Sequence, residues 1–554
     1  MHAAGHSTPI STGAEARAFD AVVVGAGFSG LYMLYRLREL GLSSVVLEAG
    51  DGVGGTWYWN RYPGARCDSE SYYYSFSFSE ELQQEWEWTE RYPGHAEMLR
   101  YLNHVADRFD LRRDIRFGVR VASATFDDEQ GRWEVCTEAG DRYSARFLIT
   151  AVGCLSAANV PSLPGLDRFE GEWFHTGTWP HEGVDFTGRR VGIVGTGSTG
   201  IQAIPVIAEQ AAHLTVFQRT PNYSVPARNG PMTPELQREI KEDYAEIRRR
   251  QRASTNGHPF GISDVPALSV SEAERQSRYE AAWERGGLRF RAAFQDLLTD
   301  SDANETASEF IRSKIRATVR DPSTAEKLLP RDHGFATKRP PIDTHYFETY
   351  NRDNVSLVDV RESPLQEVTP RGLRTSSAEY PLDCIVFATG FDAMTGPLLK
   401  IDVRGRGGVT LRDRWSEGPR TYLGLQVAGF PNLFTVTGPG SPSVLCNMPT
   451  AIEQHVGWIA DCLAFMLERD LERIEATPEA EEAWGRHVQE AAHRTLLPTA
   501  ASSWYLGANV PGKPRVFMPY AGGFATYAGM CADVAERGYE GFTCAGASRA
   551  TLNA

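Results

Sequence analysis

The sequence has 554 residues, of which 42% are hydrophobic and 23% are charged, so it has ample material for folded cores. At roughly 100–200 residues per domain, this length predicts two to four domains rather than one. The formal net charge of -14 argues against a nucleic-acid partner, because binding a phosphate backbone requires a basic surface.

Eight cysteines are scattered along the chain, and no two of them form a CxxC or CxxxxC pair. The sequence therefore predicts no metal site and no redox-active dithiol, and single cysteines favour a reducing compartment. The chain start lacks the pattern of a signal peptide, and no stretch reaches the ~20 apolar residues of a membrane span. We expect a cytoplasmic protein without membrane segments, whose residues 1–18 are disordered.

The first folded segment is predicted to be a strand–helix–strand unit. Residues 19–24 form a short apolar run that is typical of a buried parallel strand. Leucines then recur at helical spacing from Leu31 to Leu40, and Gly41 ends the helix. The next predicted strand, residues 45–47, ends at Glu48. This is one βαβ unit.

A second unit of the same kind begins with a predicted strand at residues 190–194 and returns as a strand at residues 214–217. Charged helical segments fill residues 232–330, which predicts a helical insertion with a loop near residues 255–267. Strand patterns resume at residues 355–358 and 384–388. The chain is therefore predicted to be an α/β protein with two dinucleotide-binding, Rossmann-like domains and a helical insertion in the second.

The turn between the first strand and helix carries the pattern GxGxxG, with Gly25, Gly27 and Gly30. The first glycine permits a tight turn, the second lets the backbone approach a pyrophosphate, and the third lets helix and strand pack closely. The pyrophosphate then lies at the helix N-terminus, whose free N–H groups favour anions. Glu48 is placed to accept hydrogen bonds from ribose hydroxyls.

The second glycine-rich turn repeats this pattern but leads to a basic residue instead of an acid. Its motif residues are Gly195, Gly197, Ser198 and Gly200. Arg219 and Thr220 occupy the position that Glu48 fills in the first unit, and a cation with a hydroxyl suits a 2′-phosphate. A solvated surface arginine is the alternative reading of Arg219. The sequence favours NADPH at this site and FAD at the first.

Two dinucleotide cofactors predict hydride transfer from nicotinamide to flavin, and leave open what oxidises the flavin. The missing dithiol excludes a disulfide acceptor, so O2, a quinone or a protein remains. We predict the following domain boundaries. Residues 19–152 and 389–554 form the FAD-binding domain, residues 153–228 and 333–388 form the NADP-binding domain, and residues 229–332 form the helical insertion.

Two longer motifs identify a family. Residues 169–180 read FEGEWFHTGTWP and fit FxGxxxHxxxWP, with Phe169, Gly171, His175, Trp179 and Pro180. Residues 54–68 read GGTWYWNRYPGARCD and fit GGxWxxxxYPGxxxD. The chain resembles the type I Baeyer–Villiger monooxygenases over about residues 19–543, including the insertion. Related N-hydroxylating and flavin-containing monooxygenases share the front of the first motif but usually lack its Trp-Pro ending.

The resemblance implies NADPH- and O2-dependent oxidation of ketones to esters or lactones through a flavin C4a-peroxide, with sulfide oxidation as a side activity. It implies that Arg339 is the active-site arginine and Asp68 the acid that orients it. On the sequence alone, a salt-bridged structural arginine and a turn aspartate are the bland alternatives. Further implied cofactor-binding residues are Thr56, Trp57, Lys338 and Trp504, of which Lys338 and Arg219 hold the NADPH phosphate.

The resemblance also places the substrate pocket at Cys154, Leu155, Ser443, Val444, Leu445 and Met448. These side chains are mostly apolar, so apolar ketones are expected: aryl-alkyl, cyclic or steroidal. His175 is interpreted as a structural histidine at the junction of the two nucleotide domains. The aromatic run at residues 72–78 is predicted to be a packed strand. No obligate protein partner is expected, and an electron-transfer flavoprotein remains the alternative from another class.

Overall fold

Two β-sheets, each with its own hydrophobic core, organise the chain. The computed structural model describes residues 16–546, so residues 1–15 of the predicted disordered tail lie outside the described residues. The larger sheet begins with strand Arg17–Val24, whose second half is fully buried. Its eight strands in spatial order are Asp402–Arg404, Val121–Asp127, Arg132–Thr137, Arg142–Thr150, Arg17–Val24, Ser44–Leu47 and Ile115–Arg116, with Leu433–Thr435 added beside Arg142–Thr150.

The second sheet has five strands, and all of its pairings are parallel. Its strands in spatial order are Val355–Asp359, His213–Gln218, Arg190–Val194, Cys384–Phe387 and Glu172–His175. Each sheet contains one of the two predicted strand–helix–strand units, with helices Phe28–Glu39 and Ser198–Gln210 directly after the glycine-rich turns. The predicted α/β class with two Rossmann-like folds is confirmed.

Smaller sheets and further helices complete the fold. Strands Leu365–Thr369, Gly372–Thr375 and Glu379–Pro381 form an antiparallel meander, and Leu471–Ala476 pairs with Phe542–Gly546. Helices outside the insertion are Thr56–Trp59, Glu80–Glu85, His95–Arg108, Tyr346–Thr349, Gly396–Leu399, Leu411–Arg414, Met448–Glu468, Pro478–His493 and Phe524–Glu536. Within residues 16–546, no helix is both long and apolar enough to cross a lipid bilayer.

The segment between the two halves of the second sheet is helical. Its helices are Pro234–Ala253, Glu272–Arg285, Ser301–Thr318 and Pro322–Leu328, with 3-10 turns at Ala267–Ser269 and Gly287–Ala293. Each of the four helices begins at a Thr, Ser or Asp whose side chain accepts a backbone N–H. Stacked rings of Tyr279, Phe290 and Phe310 fill its interior. The stretch between the first two helices crosses to the larger sheet's domain, where the backbone N–H of Phe524 donates to the carbonyl of Thr255 at 2.7 Å.

The aromatic run at residues 72–78 is not a strand, so that prediction was wrong. The chain forms a 3-10 turn at Ser71–Tyr73 and then continues without regular structure. Phe76 is fully buried, and its backbone N–H donates to the hydroxyl of Tyr101 at 2.9 Å. Its ring contacts Phe28 and Phe78. Alternation of large and small residues therefore reflects packing here, because the N–H groups of residues 76–78 donate to side chains and none of them to a neighbouring strand.

A short parallel pair closes the neck through which the chain enters and leaves the insertion. Val225–Pro226 pairs with Ile342–Asp343. Asp343 is only 8% exposed, accepts a hydrogen bond from the Ser224 hydroxyl at 2.6 Å, and faces the backbone N–H of Tyr346. Burial raises the pKa of Asp343 to about 6, although these hydrogen bonds oppose the shift.

Because the folded-state pKa of Asp343 lies above the unfolded value near 3.9, the folded protein binds the proton more tightly. Its stability therefore falls as pH rises from about 4 through about 6. We expect Asp343→Asn to raise the free energy of unfolding by about 3 kcal/mol at pH 8 and by about 1 kcal/mol at pH 4.5. Thermal unfolding of both proteins at the two pH values measures this difference.

Asp353→Asn is the matched control, because it removes an exposed carboxylate from the same region. It should change stability little at either pH. A wild-type protein more stable than Asp343→Asn at pH 8, or an equal effect at both pH values, would contradict the raised pKa of this buried carboxyl.

Candidate active site

An ion pair between Asp68 and Arg339 lies at the centre of the molecule. Arg339 donates from Nε to Asp68 Oδ2 at 2.6 Å and from one terminal nitrogen to Oδ1 at 2.8 Å. Its other terminal nitrogen donates to the carbonyl of Val444 at 2.8 Å. This bidentate geometry fixes the guanidinium plane, since two parallel hydrogen bonds allow one orientation. The three residues are far apart in sequence and come from three segments of the chain.

Both side chains of this pair are about three-quarters covered, at 24% exposure for Arg339 and 25% for Asp68. Burial alone would raise the pKa of Asp68, but the charge and hydrogen bonds of Arg339 outweigh it and hold that pKa below its usual value. The pKa of Arg339 rises for the converse reason, because Asp68 outweighs the effect of burial. The pair is therefore fully ionised throughout the neutral range.

Local backbone structure explains how the two residues reach each other. Next to Asp68, the N–H of Cys67 donates to the carbonyl of Pro93, which ties this segment to the loop before helix His95–Arg108. Arg339 precedes Pro340 and Pro341, and Val225 donates to the carbonyl of Pro341 at 3.1 Å. The backbone of Arg339 is restricted to extended conformations because a proline follows it.

An apolar cluster adjoins the pair and contains five of the six predicted pocket residues. Cys154 and Val444 are buried in it, and Leu155, Leu445 and Met448 pack against it. Its other members are Ala393, Met394, Ala492, Leu497, Tyr505, Phe517 and Met518, with Leu298, Trp504, Leu506 and Ala521 packed against them. The sixth predicted residue, Ser443, is fully buried beside Met394, at 3.7 Å from hydroxyl to sulfur. The structure therefore brings the predicted pocket together around Val444, whose carbonyl binds Arg339.

The first glycine-rich turn has the shape that a dinucleotide requires. A Cβ on Gly25 would lie 2.6 Å from the carbonyl oxygen of Ala151, and one on Gly30 would lie 1.8 Å from that of Gly25. Gly27 has no such backbone oxygen near it. It caps helix Phe28–Glu39 without a side-chain hydrogen bond, so the helix N–H groups are free for an anion. This turn fits the pyrophosphate of FAD.

Glu48 is 5% exposed and takes part in building this turn. Its two carboxylate oxygens accept the backbone N–H groups of Ala26 and Gly50, each at 2.7 Å. Burial raises the pKa of Glu48 against these two hydrogen bonds. The sequence predicted that Glu48 contacts a ribose, but it did not indicate that Glu48 also holds the backbone of the turn. A carboxylate has further acceptor sites, so both are compatible.

The GGxW motif packs on the same turn. Gly54 donates to the carbonyl of Ala26 at 3.0 Å, and a Cβ on Gly55 would lie 2.9 Å from the Cα of Gly27. Helix Thr56–Trp59 starts there, with Thr56 exposed and Trp57 buried against the ring of Tyr74. Gly55 is therefore required because two backbones touch, and Gly54 because its φ of +131° disfavours any side chain.

The second turn repeats the geometry of the first. A Cβ on Gly195 would lie 2.5 Å from the carbonyl oxygen of Ala388, and one on Gly200 would lie 2.2 Å from that of Gly195. No atom lies within 4 Å of a Cβ on Gly197, and exposed Ser198 starts the following helix. This open side of the turn fits a second pyrophosphate.

Basic residues collect near the open side of this second turn. The hydroxyl of Thr196 donates to the carbonyl of Thr220, which holds Arg219 and Thr220 beside the turn. Burial lowers the pKa of Lys338, Asp332 opposes this effect, and the positive charge of Arg219 adds to it. The structure therefore brings Arg219 and Lys338 into one basic patch, with Arg219 exposed.

The residues of the FxGxxxHxxxWP motif have structural contacts. His175 is 1% exposed, its Nδ1 accepts the N–H of Gly177 at 3.0 Å, and burial lowers its pKa. Trp179 is buried against Phe174 and Phe186. The remaining motif residues flank strand Glu172–His175, which lies at one edge of the second sheet. A Cβ on Gly171 would strike the ring of Phe169, and the carbonyl of Pro180 accepts the N–H of Gly183.

Three residues near the pair were missed by the sequence analysis. Tyr505 is buried in the apolar cluster, and its pKa is raised by burial to about 12. His258 is 4% exposed, and burial and the charge of Arg339 lower its pKa to about 3. Arg291 lies in a 3-10 turn of the insertion. No motif or periodicity marks His258 or Arg291. The only sequence signal for them is that functional residues are often found in loops.

Within residues 16–546, no group of three or more His, Cys, Asp or Glu side chains is arranged to hold a metal ion. The features able to support chemistry are two glycine-rich turns shaped to bind dinucleotides and a fixed, ionised arginine beside an apolar cluster. They suit a reaction in which negative charge develops next to an organic substrate.

Known proteins share this architecture. A family model described as flavin-binding monooxygenase-like matches residues 19–228. The chain is 46% identical to a Baeyer–Villiger monooxygenase of Pseudooceanicola batsensis, over 94% of this chain and 95% of that protein. It is 43% identical to a cyclohexanone 1,2-monooxygenase of an Acinetobacter species, over 95% and 96% of the two chains. A solved structure of steroid monooxygenase bound to NADP is 55% identical with a TM-score of 0.92, covering 96% of this chain and 100% of that one. The chain therefore belongs to the Baeyer–Villiger monooxygenases, with FAD and NADPH as its cofactors.

Proposed function

We propose that this enzyme oxidises ketones with an apolar skeleton to esters or lactones. One oxygen atom of O2 enters beside the carbonyl and the other leaves as water, while NADPH supplies two electrons. The observation that carries the proposal is the fixed Asp68–Arg339 pair beside the apolar cluster around Val444. FAD held at the first glycine-rich turn would take up the two electrons of NADPH and would activate O2 for the transfer.

Arg339 provides the charge that this reaction needs. A fixed cation stabilises negative charge as it develops on oxygen, and it acts most strongly where water is scarce. Asp68 keeps the guanidinium in one plane and prevents it from turning toward other acceptors. Because the pair stays ionised in the neutral range, neither residue exchanges a proton during turnover.

The apolar cluster binds the ketone skeleton and excludes water. Burial raises the pKa of the Cys154 thiol to about 11, so this wall of the pocket carries no charge at neutral pH. Trp504 and Tyr505 belong to a 3-10 turn; Tyr505 is buried in the cluster and Trp504 packs against it. The centroids of their two rings are 4.5 Å apart. Aryl-alkyl, cyclic and steroidal ketones all have the apolar surface that such a lining favours.

Product analysis tests the proposal. Incubation of the FAD-loaded enzyme with NADPH, O2 and a panel of linear, cyclic, aryl and steroidal ketones should yield an ester or lactone. Product should form in proportion to the NADPH oxidised, and thioethers should give sulfoxides as a side activity of the same oxidant. If the whole panel yields only hydrogen peroxide, the enzyme is not a ketone oxygenase.

The same panel distinguishes the rival functions. An N-hydroxylating monooxygenase of this fold would convert added amines while leaving ketones unchanged. An electron-transfer flavoprotein would reduce a quinone or protein acceptor faster than it consumes O2 with any ketone. The proposal excludes both outcomes, since neither requires a cation beside an apolar pocket.

Replacing Arg339 tests its role directly. We expect Arg339→Ala to retain reduction of the flavin by NADPH within a few fold and to lower ester formation by about a hundred- to a thousandfold, the loss typical for one key electrostatic group. Stopped-flow absorbance measures the first step and gas chromatography the second. The control is Arg331→Ala, an exposed arginine eight residues earlier in the chain. Retained ester formation in Arg339→Ala would contradict the assignment.

We also propose that Arg219 and Lys338 bind the 2′-phosphate of NADPH, with Thr220 beside them. Their shared basic patch at the second turn supports this role. Arg219→Ala should lower kcat/KM for NADPH by about ten- to a hundredfold, as expected for the loss of a charge-assisted phosphate contact. The value for NADH, which lacks that phosphate, should change less than about threefold. Equal losses with both cofactors would contradict phosphate recognition.

The remaining proposals concern organisation. We infer that residues 19–152 and 389–554 form the FAD-binding domain, that residues 153–228 and 333–388 form the NADP-binding domain, and that residues 229–332 are inserted into the latter. Sheet membership of the strands supports this division. The eight free cysteines support a reducing, cytoplasmic location. The ketone, O2 and the two cofactors are the proposed partners, with no obligate protein among them.

A further inference from the structure

Residues 254–257 of the helical insertion lie between two segments from the C-terminal part of the chain. The carbonyl of Asn256 accepts the N–H of Asn447 at 2.8 Å, and the carbonyl of Thr255 accepts the N–H of Phe524 at 2.7 Å. Asn447 caps one long helix, and Phe524 is the first residue of another. The insertion is therefore joined to the starts of both helices through its own backbone.

Both of these segments contribute side chains to the apolar cluster beside Arg339. Those side chains are Val444, Leu445 and Met448 from the first segment, and Phe517, Met518 and Ala521 from the second. At one end the two segments are hydrogen-bonded directly, since the N–H of Gly440 donates to the carbonyl of Met518 at 2.7 Å. At the other end residues 254–257 stand between their backbones and join them.

Gly257 leaves no room for a side chain against the first segment. A Cβ at this position would lie 2.6 Å from the sulfur of Cys446 and 3.1 Å from the Cβ of Asn447. Cys446 is 2% exposed and packs with Ala451 and Phe524, so its sulfur has little space into which it could move. The φ of Gly257 is +69°, which independently favours glycine.

Buried polar side chains hold the loop from the other side. Gln251 is 1% exposed, and its Nε2 donates to the carbonyl of Gly257 at 3.1 Å and to the hydroxyl of Thr450 at 3.0 Å. Its Oε1 accepts a hydrogen bond from buried Arg248 at 2.9 Å. The loop is held in place by these contacts, so added volume at position 257 would displace Cys446 and its neighbours.

We propose that residues 254–257 are a spacer that sets the width of the substrate pocket, with Gly257 as the specificity-determining residue. Cys446 faces this spacer, whereas its neighbours Val444 and Leu445 belong to the apolar cluster or pack against it. A side chain at position 257 would push their segment toward the cluster and narrow the space for a ketone skeleton. This inference rests on the proposed function and assigns its tolerance of wide ketones to a glycine of the insertion.

Ketones of increasing width test the proposal. Cyclohexanone is compared with derivatives that carry a methyl, tert-butyl or phenyl group opposite the carbonyl, with lactone formation by the FAD-loaded enzyme as the readout. In Gly257→Ala, kcat/KM relative to that for cyclohexanone should fall as the substituent grows. For the largest ketone that the wild type converts, we expect a loss of at least about tenfold, because crowding penalises the larger skeleton more.

A second substitution separates the contact from backbone strain. Cys446→Ala removes the sulfur that a Cβ at position 257 would strike, so Gly257→Ala combined with Cys446→Ala should return the ratio to within about threefold of the wild type. Cys446→Met enlarges the same contact from the other side without changing the glycine. It should lower the ratio in the same direction, and it tests the spacer even if Gly257→Ala does not fold.

Gly131→Ala is the matched control. The φ of Gly131 is +65°, and among the described residues no atom lies within 4 Å of a Cβ there, so this change adds similar strain without displacing a neighbour. It should leave every ratio unchanged.

Three results would overturn the spacer while leaving the proposed function intact. They are an unchanged ratio in folded Gly257→Ala, a lowered ratio that Cys446→Ala does not restore, and an unchanged ratio in Cys446→Met. If the wild type forms no lactone from any of these ketones, the proposed function itself is overturned.

Discussion

The bidentate contact between Arg339 and Asp68 is the interaction on which the site depends. It joins a residue that follows the first nucleotide turn to one that follows the helical insertion, and its third hydrogen bond reaches the pocket segment at Val444. Three parts of the chain are thereby held to one guanidinium. A displacement of any of them would turn the guanidinium, and in the proposed reaction the stabilisation of negative charge on oxygen would be lost with it.

The helical insertion is connected to this arrangement by several contacts. Its neck is closed by the buried Asp343, and its loop reaches the C-terminal part of the chain at Thr255. Near the active site, Glu70 accepts hydrogen bonds from both Arg91 and Arg289, only two residues from Asp68. The insertion is thus tied to the same short segment that holds Arg339. The loop between the first two helices of the insertion also contacts this region, because the ring of His258 lies 5.4 Å from that of Tyr73.

Prediction from the sequence succeeded where backbone geometry restricts residue type. Gly25, Gly30, Gly195 and Gly200 leave no room for a side chain, so their spacing reports the turns directly. Prediction was less complete for Glu48. Its sequence position suggested a ribose contact but did not show that both carboxylate oxygens already accept backbone N–H groups. It failed for the aromatic run at residues 72–78, where burial on several sides imitates the alternation of a strand.

The sequence by itself determined the fold class, the two cofactors and the family, because these depend on local turns and on motifs that are contiguous in the chain. By resemblance it also predicted six substrate-pocket residues, five of which lie in or against one apolar cluster. Only the tertiary structure decided that Asp68, Arg339 and Val444 meet, and that the charge of Arg339 helps to lower the pKa of buried His258. The reason is physical: a charge acts through space on whatever the fold places next to it. An arginine in a loop has no sequence pattern that tells whether an acid lies within reach.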